Sequence, residues 1–211
     1  MMRPEPLYLD ANATEPLRPE ARAAAIAAME LVGNPSSVHG AGRAARRVLE
    51  TAREQVAARF GAAPRDIVFC AGGTEANALA IRGLGEGRRV LAGATEHPAV
   101  LRAGPAPGIL PVTAEGTIDL GALAAALAEG GPALVCLMAA NNETGVLHPI
   151  AEAAALCRAH GALLHVDAVQ AAGRVVLSLA QTGADSLAIS GHKLGGSKGA
   201  GALLLRPGLS P

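Results

Sequence analysis

Seven short apolar runs constrain the fold of this chain more than any other feature. They occupy residues 67–70, 90–92, 109–112, 133–138, 162–166, 186–189 and 202–205, and each is about the length of a buried strand. Helical stretches at 74–82, 120–128 and 150–160 separate several of them. Such alternation predicts a largely parallel sheet with helices on both faces. The last two runs leave no room for a crossover helix, so the final strand is expected to be antiparallel. Ahead of the first run, a helix is expected over 19–31. A loop and cap at Asn34-Pro35-Ser36-Ser37 should follow, then a second helix through about Phe60. Residues 1–18 read as an N-terminal arm and 19–211 as one α/β domain.

Composition fits that scaffold and removes other classes. The 211 residues are 50% hydrophobic and only 1% aromatic, with alanine prominent; small side chains favour close packing of helix on sheet. Lys+Arg and Asp+Glu both number 18, which leaves no electrostatic footprint for nucleic acid or an anionic membrane. Arg43, Arg46 and Arg47 cluster on an expected helix and read as a solvated face. Cys70, Cys136 and Cys157 form no CxxC pair; Cys70 and Cys136 sit in strand-like runs, where a buried, inert thiol is expected. The N-terminal Met1-Met2-Arg3-Pro4-Glu5-Pro6 lacks an apolar signal core, and no run approaches membrane-spanning length. A soluble chain in the reducing cytoplasm is the expectation.

Chemistry-bearing residues collect just after the apolar runs, where open α/β sheets bind ligands. Lys193 lies in Ser190-Gly191-His192-Lys193-Leu194-Gly195-Gly196, and Asp167 ends Leu163-Leu164-His165-Val166. An amine able to form a Schiff base and a carboxylate able to hold a pyridinium nitrogen are what pyridoxal phosphate requires. Taken alone, Asp167 would serve equally as a helix cap and Lys193 as a solvated charge. In Cys70-Ala71-Gly72-Gly73-Thr74-Glu75, Gly73 lets the backbone approach an anion and Thr74 adds a hydroxyl at a helix start; a plain turn reads the same way. Gln170 lies one helical turn beyond Asp167. Asn142, in Asn141-Asn142-Glu143-Thr144-Gly145, offers an amide at a ring edge or simply makes a turn. His97 could stack on a flat cofactor or move protons. Ser190 and His192 are further phosphate donors. The run from Gly191 to Lys198 resembles a P-loop, but Ser197 precedes Lys198 and a strand follows, so the nucleotide cradle fails. No Cys or His spacing suggests a metal.

The strings YLDANATEP (8–16), NPSSVHGAGRAAR (34–46), GGTEAN (72–77), TEHPAV (95–100), NNETGV (141–146), HVDAVQ (165–170) and SGHKLGG (190–196) together resemble the class V aminotransferases, in the cysteine desulfurase branch of fold-type-I pyridoxal-phosphate enzymes. The resemblance implies a mostly parallel seven-stranded large domain, with a small C-terminal domain lying beyond residue 211. It implies that Lys193 carries the cofactor as a Schiff base, Asp167 pairs with the ring nitrogen, and His97 stacks on the ring. Gln170 and Asn142 would sit near the phenolic oxygen; Gly73, Thr74, Ser190 and His192 would hold the phosphate. The implied reaction takes L-cysteine to L-alanine and passes sulfur to an enzyme thiol, feeding iron–sulfur cluster or thio-cofactor assembly. A homodimer and a sulfur-acceptor protein are implied partners. None of the three cysteines occupies the family's nucleophile position. Two departures are GGTE where the family has GATE and GSKG where it has GPKG. Alternatives within and beyond the family are a selenocysteine lyase, another β-eliminating lyase, or an inactive cofactor-binding module.

Overall fold

The computed structural model describes residues 7–211; the proline-rich start of the expected arm, residues 1–6, lies outside the described residues. Seven strands form a single sheet in the order β1-β7-β6-β5-β4-β2-β3. They are β1 (Ile67–Cys70), β2 (Arg89–Gly93), β3 (Gly108–Leu110), β4 (Ala133–Met138), β5 (Leu163–Asp167), β6 (Ser186–Ser190) and β7 (Gly201–Leu205). Strands β2 to β6 are joined in parallel register, and β7 runs antiparallel to both β6 and β1. The expected antiparallel final strand is therefore present. It lies inside the sheet, second from the edge.

Helices cover both faces. On one side lie α2 (Gly40–Phe60), α5 (Leu120–Ala128) and α6 (Ile150–Ala159), packed on Val135, Leu137, Leu164, Val166, Leu187 and Leu204. On the other lies α3 (Gly73–Leu84), whose residues Ala76, Ala80, Ile81 and Leu84 recur at helical spacing and pack on Leu134, Cys136, Ala188 and Leu203. Because side chains alternate along a strand, residues 163, 165 and 167 of β5 and 186, 188 and 190 of β6 all face α3. That parity places two polar ladders, His165 with Asp167 and Ser186 with Ser190, under one helix. Strand β4 is buried along its whole length, as a central parallel strand must be.

Two expectations need correction. The helix expected directly after Asn34-Pro35-Ser36-Ser37 begins at Gly40, capped by His39, whose Nδ1 accepts from Gly42 N at 3.3 Å. Asn34 Oδ1 instead accepts from Ser36 N at 2.8 Å, closing a separate turn. The apolar run 109–112 gives only a three-residue strand, and Val112 leaves the sheet to bridge Ile118. Two one-turn helices, α4 (Pro98–Leu101) and α7 (Leu179–Thr182), are too short to show a period in the sequence. Helix α1 (Pro19–Met29) forms close to expectation but buries none of its residues. With Leu31, Val32 and Val38 it leaves an apolar surface open. Arg43, Arg46 and Arg47 are exposed on α2.

Candidate active site

The carboxyl ends of β2, β4, β5 and β6 surround one cavity of about 420 Å³, and all nine candidate residues line it: Gly73, Thr74, His97, Asn142, Asp167, Gln170, Ser190, His192 and Lys193. Each reaches it from a strand end, the turn that follows or the start of α3, so sheet topology brings together residues up to 120 positions apart (193 − 73 = 120). No larger apparatus is required.

Asp167 forms the buried wall. It is 6% exposed; its Oδ1 accepts from Val169 N at 2.9 Å and its Oδ2 from Asn77 Nδ2 at 2.7 Å. Burial pushes the carboxyl upward, while the two N–H donors and the charges of His97 and Lys193 pull it back. Each oxygen keeps one further acceptor position for a donor in the cavity. The cap role considered for Asp167 is thus real, through Val169 N, and coexists with a cavity-facing one.

Lys193 forms the opposite wall from a 3₁₀ turn, Gly191–Lys193, directly after β6. The next turn is closed by Gly195 at φ 74°, where an added Cβ would meet the side chain of Arg18 at 2.6 Å. Burial and then the charge of Arg174 lower the Lys193 amine from its usual range, against Asp10 and Asp167. Its Nζ donates to the backbone carbonyl of Asn12. Gln170 Nε2 donates to the same carbonyl at 2.9 Å, and its Oε1 accepts from Arg174 at 2.7 Å.

The floor is the start of α3. Its N-cap, Gly72, carries no side-chain cap, so the first N–H groups of the helix point outward unpartnered by any side chain. A Cβ on Gly73 would lie 2.5 Å from Val169 Cγ2, so glycine at 73 lets the floor close onto the valine that this chain carries at 169. His97 caps α4, its Nδ1 accepting from Ala99 N at 3.0 Å, which fixes the ring beside the cavity. His192 Nδ1 is 3.1 Å from Thr14 Oγ1. Burial, then Lys193 and Lys198, hold its imidazole below the usual range. The paired asparagines divide their work. Asn141 is 8% exposed and makes the turn, its Oδ1 accepting from Glu143 N and Thr144 N, both at 2.9 Å. Asn142 borders the cavity, with its amide on Glu143 Oε1 at 2.8 Å.

Residues that sequence reasoning passed over also belong here. The expected arm is part of the wall: Asp10, Asn12 and Ala13 line the cavity. Glu15 N donates to His192 O at 2.8 Å and Arg18 N to Gly195 O at 2.9 Å. Asn77 is 1% exposed; a lone amide four residues after Gly73, on the face that buries alanines, was its sequence signal. Glu96 is buried, accepts from Met138 N at 2.6 Å and has one oxygen without a partner, and burial pushes its carboxyl well upward. Neutral Glu96 is the form this site favours.

The three thiols lie elsewhere. Cys136 and Cys157 are buried, while Cys70 is only half-buried, a departure from the buried reading. Burial pushes all three upward, Cys157 to about 12. Among the described residues no group of three or more His, Cys, Asp or Glu could hold a metal ion, and no helix is long and apolar enough to cross a membrane.

Comparison with known proteins gives consistent matches. The family described as class-V aminotransferases matches residues 7–210. A cysteine desulfurase of Cereibacter sphaeroides is 44% identical over 219 residues, spanning 97% of this chain and 56% of its own length. A solved NifS-like protein of Rickettsia africae superposes with a TM-score of 0.91 at 35% identity, covering 97% of this chain and 59% of that one. A solved structure of SspA in complex with cysteine gives 0.84 at 29% identity, covering 95% and 61%. The chain spans about half the length of the curated relatives it matches.

Proposed function

This chain belongs to the class-V aminotransferase family, and from that premise we propose that it is the pyridoxal-phosphate-binding part of a cysteine desulfurase. The overall reaction would take L-cysteine to L-alanine and pass the sulfur to a thiol. One observation carries the reading: an amine and a buried, hydrogen-bonded carboxylate face one cavity from the ends of adjacent strands, with a glycine floor between them.

The residues present fit the cofactor. Asp167 has acceptor positions to spare for a protonated ring nitrogen. The uncapped start of α3, with Gly73, Thr74, Ser190 and His192, is a donor set for a phosphate dianion. The ring of His97 is held where it can cover a flat face. Gln170 and Asn142 line the same cavity and would bind near the phenolic oxygen. Bound there, pyridoxal phosphate would supply an aldehyde that captures amines and a ring that accepts the electron pair left at the substrate α carbon.

The chain's own groups would then act as follows. Lys193, its amine lowered from the usual range first by burial and then by Arg174, would hold the cofactor through its Nζ. With L-cysteine bound, the same Nζ would take the proton from the α carbon and return one to form alanine. Asp167 keeps the ring nitrogen protonated. His97 excludes water from one face. The sulfur-accepting thiol is assigned to no residue here, because none of Cys70, Cys136 and Cys157 occupies the family's nucleophile position or lines the cavity, and burial raises all three. In this reading residues 19–211 form the cofactor-binding unit, with 1–18 as its arm. The open apolar surface of α1 supports association with a second copy. A sulfur-acceptor protein and a reducing, cytoplasmic setting complete the reading.

The test is covalent trapping. Pyridoxal phosphate added to the purified chain and reduced with borohydride should label the peptide containing Lys193, and Lys193→Ala should abolish the label. Labelling of Lys198 instead, or of nothing, would overturn the cofactor reading.

A further inference from the structure

Beneath the cavity, four side chains form an unbroken hydrogen-bonded line from the sheet to Asp167. Ser186 Oγ is 2.8 Å from His165 Nδ1. His165 Nε2 is 2.9 Å from Asn77 Oδ1, and Asn77 Nδ2 is 2.7 Å from Asp167 Oδ2. The register explains the line: His165 pairs with Ser186 across β5 and β6, both face α3, and Asn77 descends from that helix between His165 and Asp167. His165 and Ser186 are 0% exposed and Asn77 1%. None of the three was a candidate in the sequence, and only Asn77 reaches the cavity.

The donors can be ordered by elimination. An ionised Asp167 only accepts, so Asn77 must present its NH₂ there and its oxygen to His165. His165 must then carry its proton on Nε2, which leaves Nδ1 to accept from the Ser186 hydroxyl. Every group has one orientation, and each depends on its neighbour.

We propose that His165 is a positioning residue for the cofactor-binding carboxylate, holding the Asn77 amide with its N–H toward Asp167 so that Asp167 stays ionised in the core. Without that constraint Asn77 could turn its oxygen to Asp167, and two acceptors face to face would draw a proton onto the carboxyl. The imidazole suits this task because it does not titrate near neutrality: burial takes it down to about 3. Its neighbour across β4, Cys136, is likewise neutral. The other ionisable groups acting on Asp167 are Lys193 and His97 from the cavity, which favour its charge. Glu96 lies on the β2 and β4 side, and burial first, then the charge of Asp167, pushes its carboxyl upward toward the neutral form. The inference rests on the proposed cofactor site for its purpose, but not for its measurement.

The experiment is therefore done first without cofactor. Carbon-13 spectra of labelled protein report the Asp167 carboxyl midpoint, and long-range nitrogen-15 spectra report the His165 tautomer. Wild type should show the Nε2–H form, unchanged from pH 5 to 9. His165→Leu should raise the Asp167 midpoint by about one unit, the consequence of losing one oriented donor. His165→Gln, which restores an amide N–H, should return it at least halfway. Ser186→Ala, should His165→Leu not fold, is the second route, and it should loosen the tautomer preference. An Nδ1–H imidazole in wild type overturns the proposal. So does an unchanged Asp167 midpoint in His165→Leu, or a His165→Gln that behaves like leucine. Pyridoxal phosphate is then added: a wild type that fails to trap it sinks the cofactor reading alone, because the carboxyl titration has already judged the relay.

Discussion

Asp167 and Lys193 face each other across one cavity, yet the walls that carry them are held in opposite ways. The Asp167 wall is locked from behind by Asn77, His165 and Ser186, all buried and all with fixed partners. The Lys193 wall is half-open: its amine and the Gln170 amide share one backbone carbonyl, that of Asn12, and Arg174 spans Gln170 and a partly exposed Glu15. A group that must hold one charge throughout a reaction is placed in the first kind of setting. A group that must exchange partners is placed in the second, where water can replace what is given up. In the proposed reaction Lys193 has to leave Asn12, whereas nothing has to leave Asp167.

The sharpest way to break this comparison is acid. His165 has a folded value of about 3 against an ordinary 6.5, so the unfolded chain binds the extra proton between those limits. Stability is thus full above about pH 6.5 and falls as pH drops toward 3, by roughly 3 kcal/mol at pH 4.5 if the whole shift is felt. Asp167 and Glu96 act the other way, since burial raises both and the fold gains as pH falls through their values. The difference between wild type and His165→Gln isolates the histidine. Denaturant titrations from pH 7 to 4.5 should show wild type losing more than the variant. Parallel curves would mean that the back of the wall admits water or protons.

Packing at the floor is the next lever. Gly73→Ala puts a methyl 2.5 Å from Val169 Cγ2, and Val169 is the residue whose N–H binds Asp167. Overpacking of this kind costs about 1–3 kcal/mol, and here it should also push the floor off the wall. Cofactor affinity measured by absorbance titration should fall, and Gly73→Ala with Val169→Ala should recover most of it. Equal losses in the single and double variants would place the fault in the helix start and not in the contact.

How far these walls could be read in advance follows from how each is made. Strands were legible because three to six consecutive apolar residues have few other uses, and the residues just past them, Lys193, Asp167 and His97, were legible as strand-end chemistry. The cap expected within Asn34-Pro35-Ser36-Ser37 falls instead to His39, while the Asn34 side chain closes its own turn, a choice made by geometry that the string does not contain. Asn12 stands in the sequence only as one letter of YLDANATEP, since its part in the site is played by a backbone carbonyl and by a side chain that donates to Asn142 O at 3.2 Å across 130 positions. Asn77 and His165 look like ordinary polar residues until α3 is laid on the β5–β6 face. Only then do three positions, from one helix and two strands, fall into line.

That line makes a final prediction, small in energy but specific in sign. In Asp167→Asn the carboxylate oxygen facing Asn77 can become an NH₂ donor, because Oδ1 is retained by Val169 N. Asn77 must then turn its oxygen to residue 167 and offer its NH₂ to His165, which can accept only on an unprotonated Nε2. The imidazole proton moves to Nδ1 and is donated to Ser186 Oγ, a hydroxyl that accepts as readily as it donates. Every bond of the line survives with its direction reversed, so stability should change by less than about 1 kcal/mol, while the nitrogen-15 spectrum should switch from the Nε2–H to the Nδ1–H pattern. A variant that keeps the Nε2–H form would show that Asn77 is oriented by something other than its two neighbours, and the locked wall would lose its mechanism.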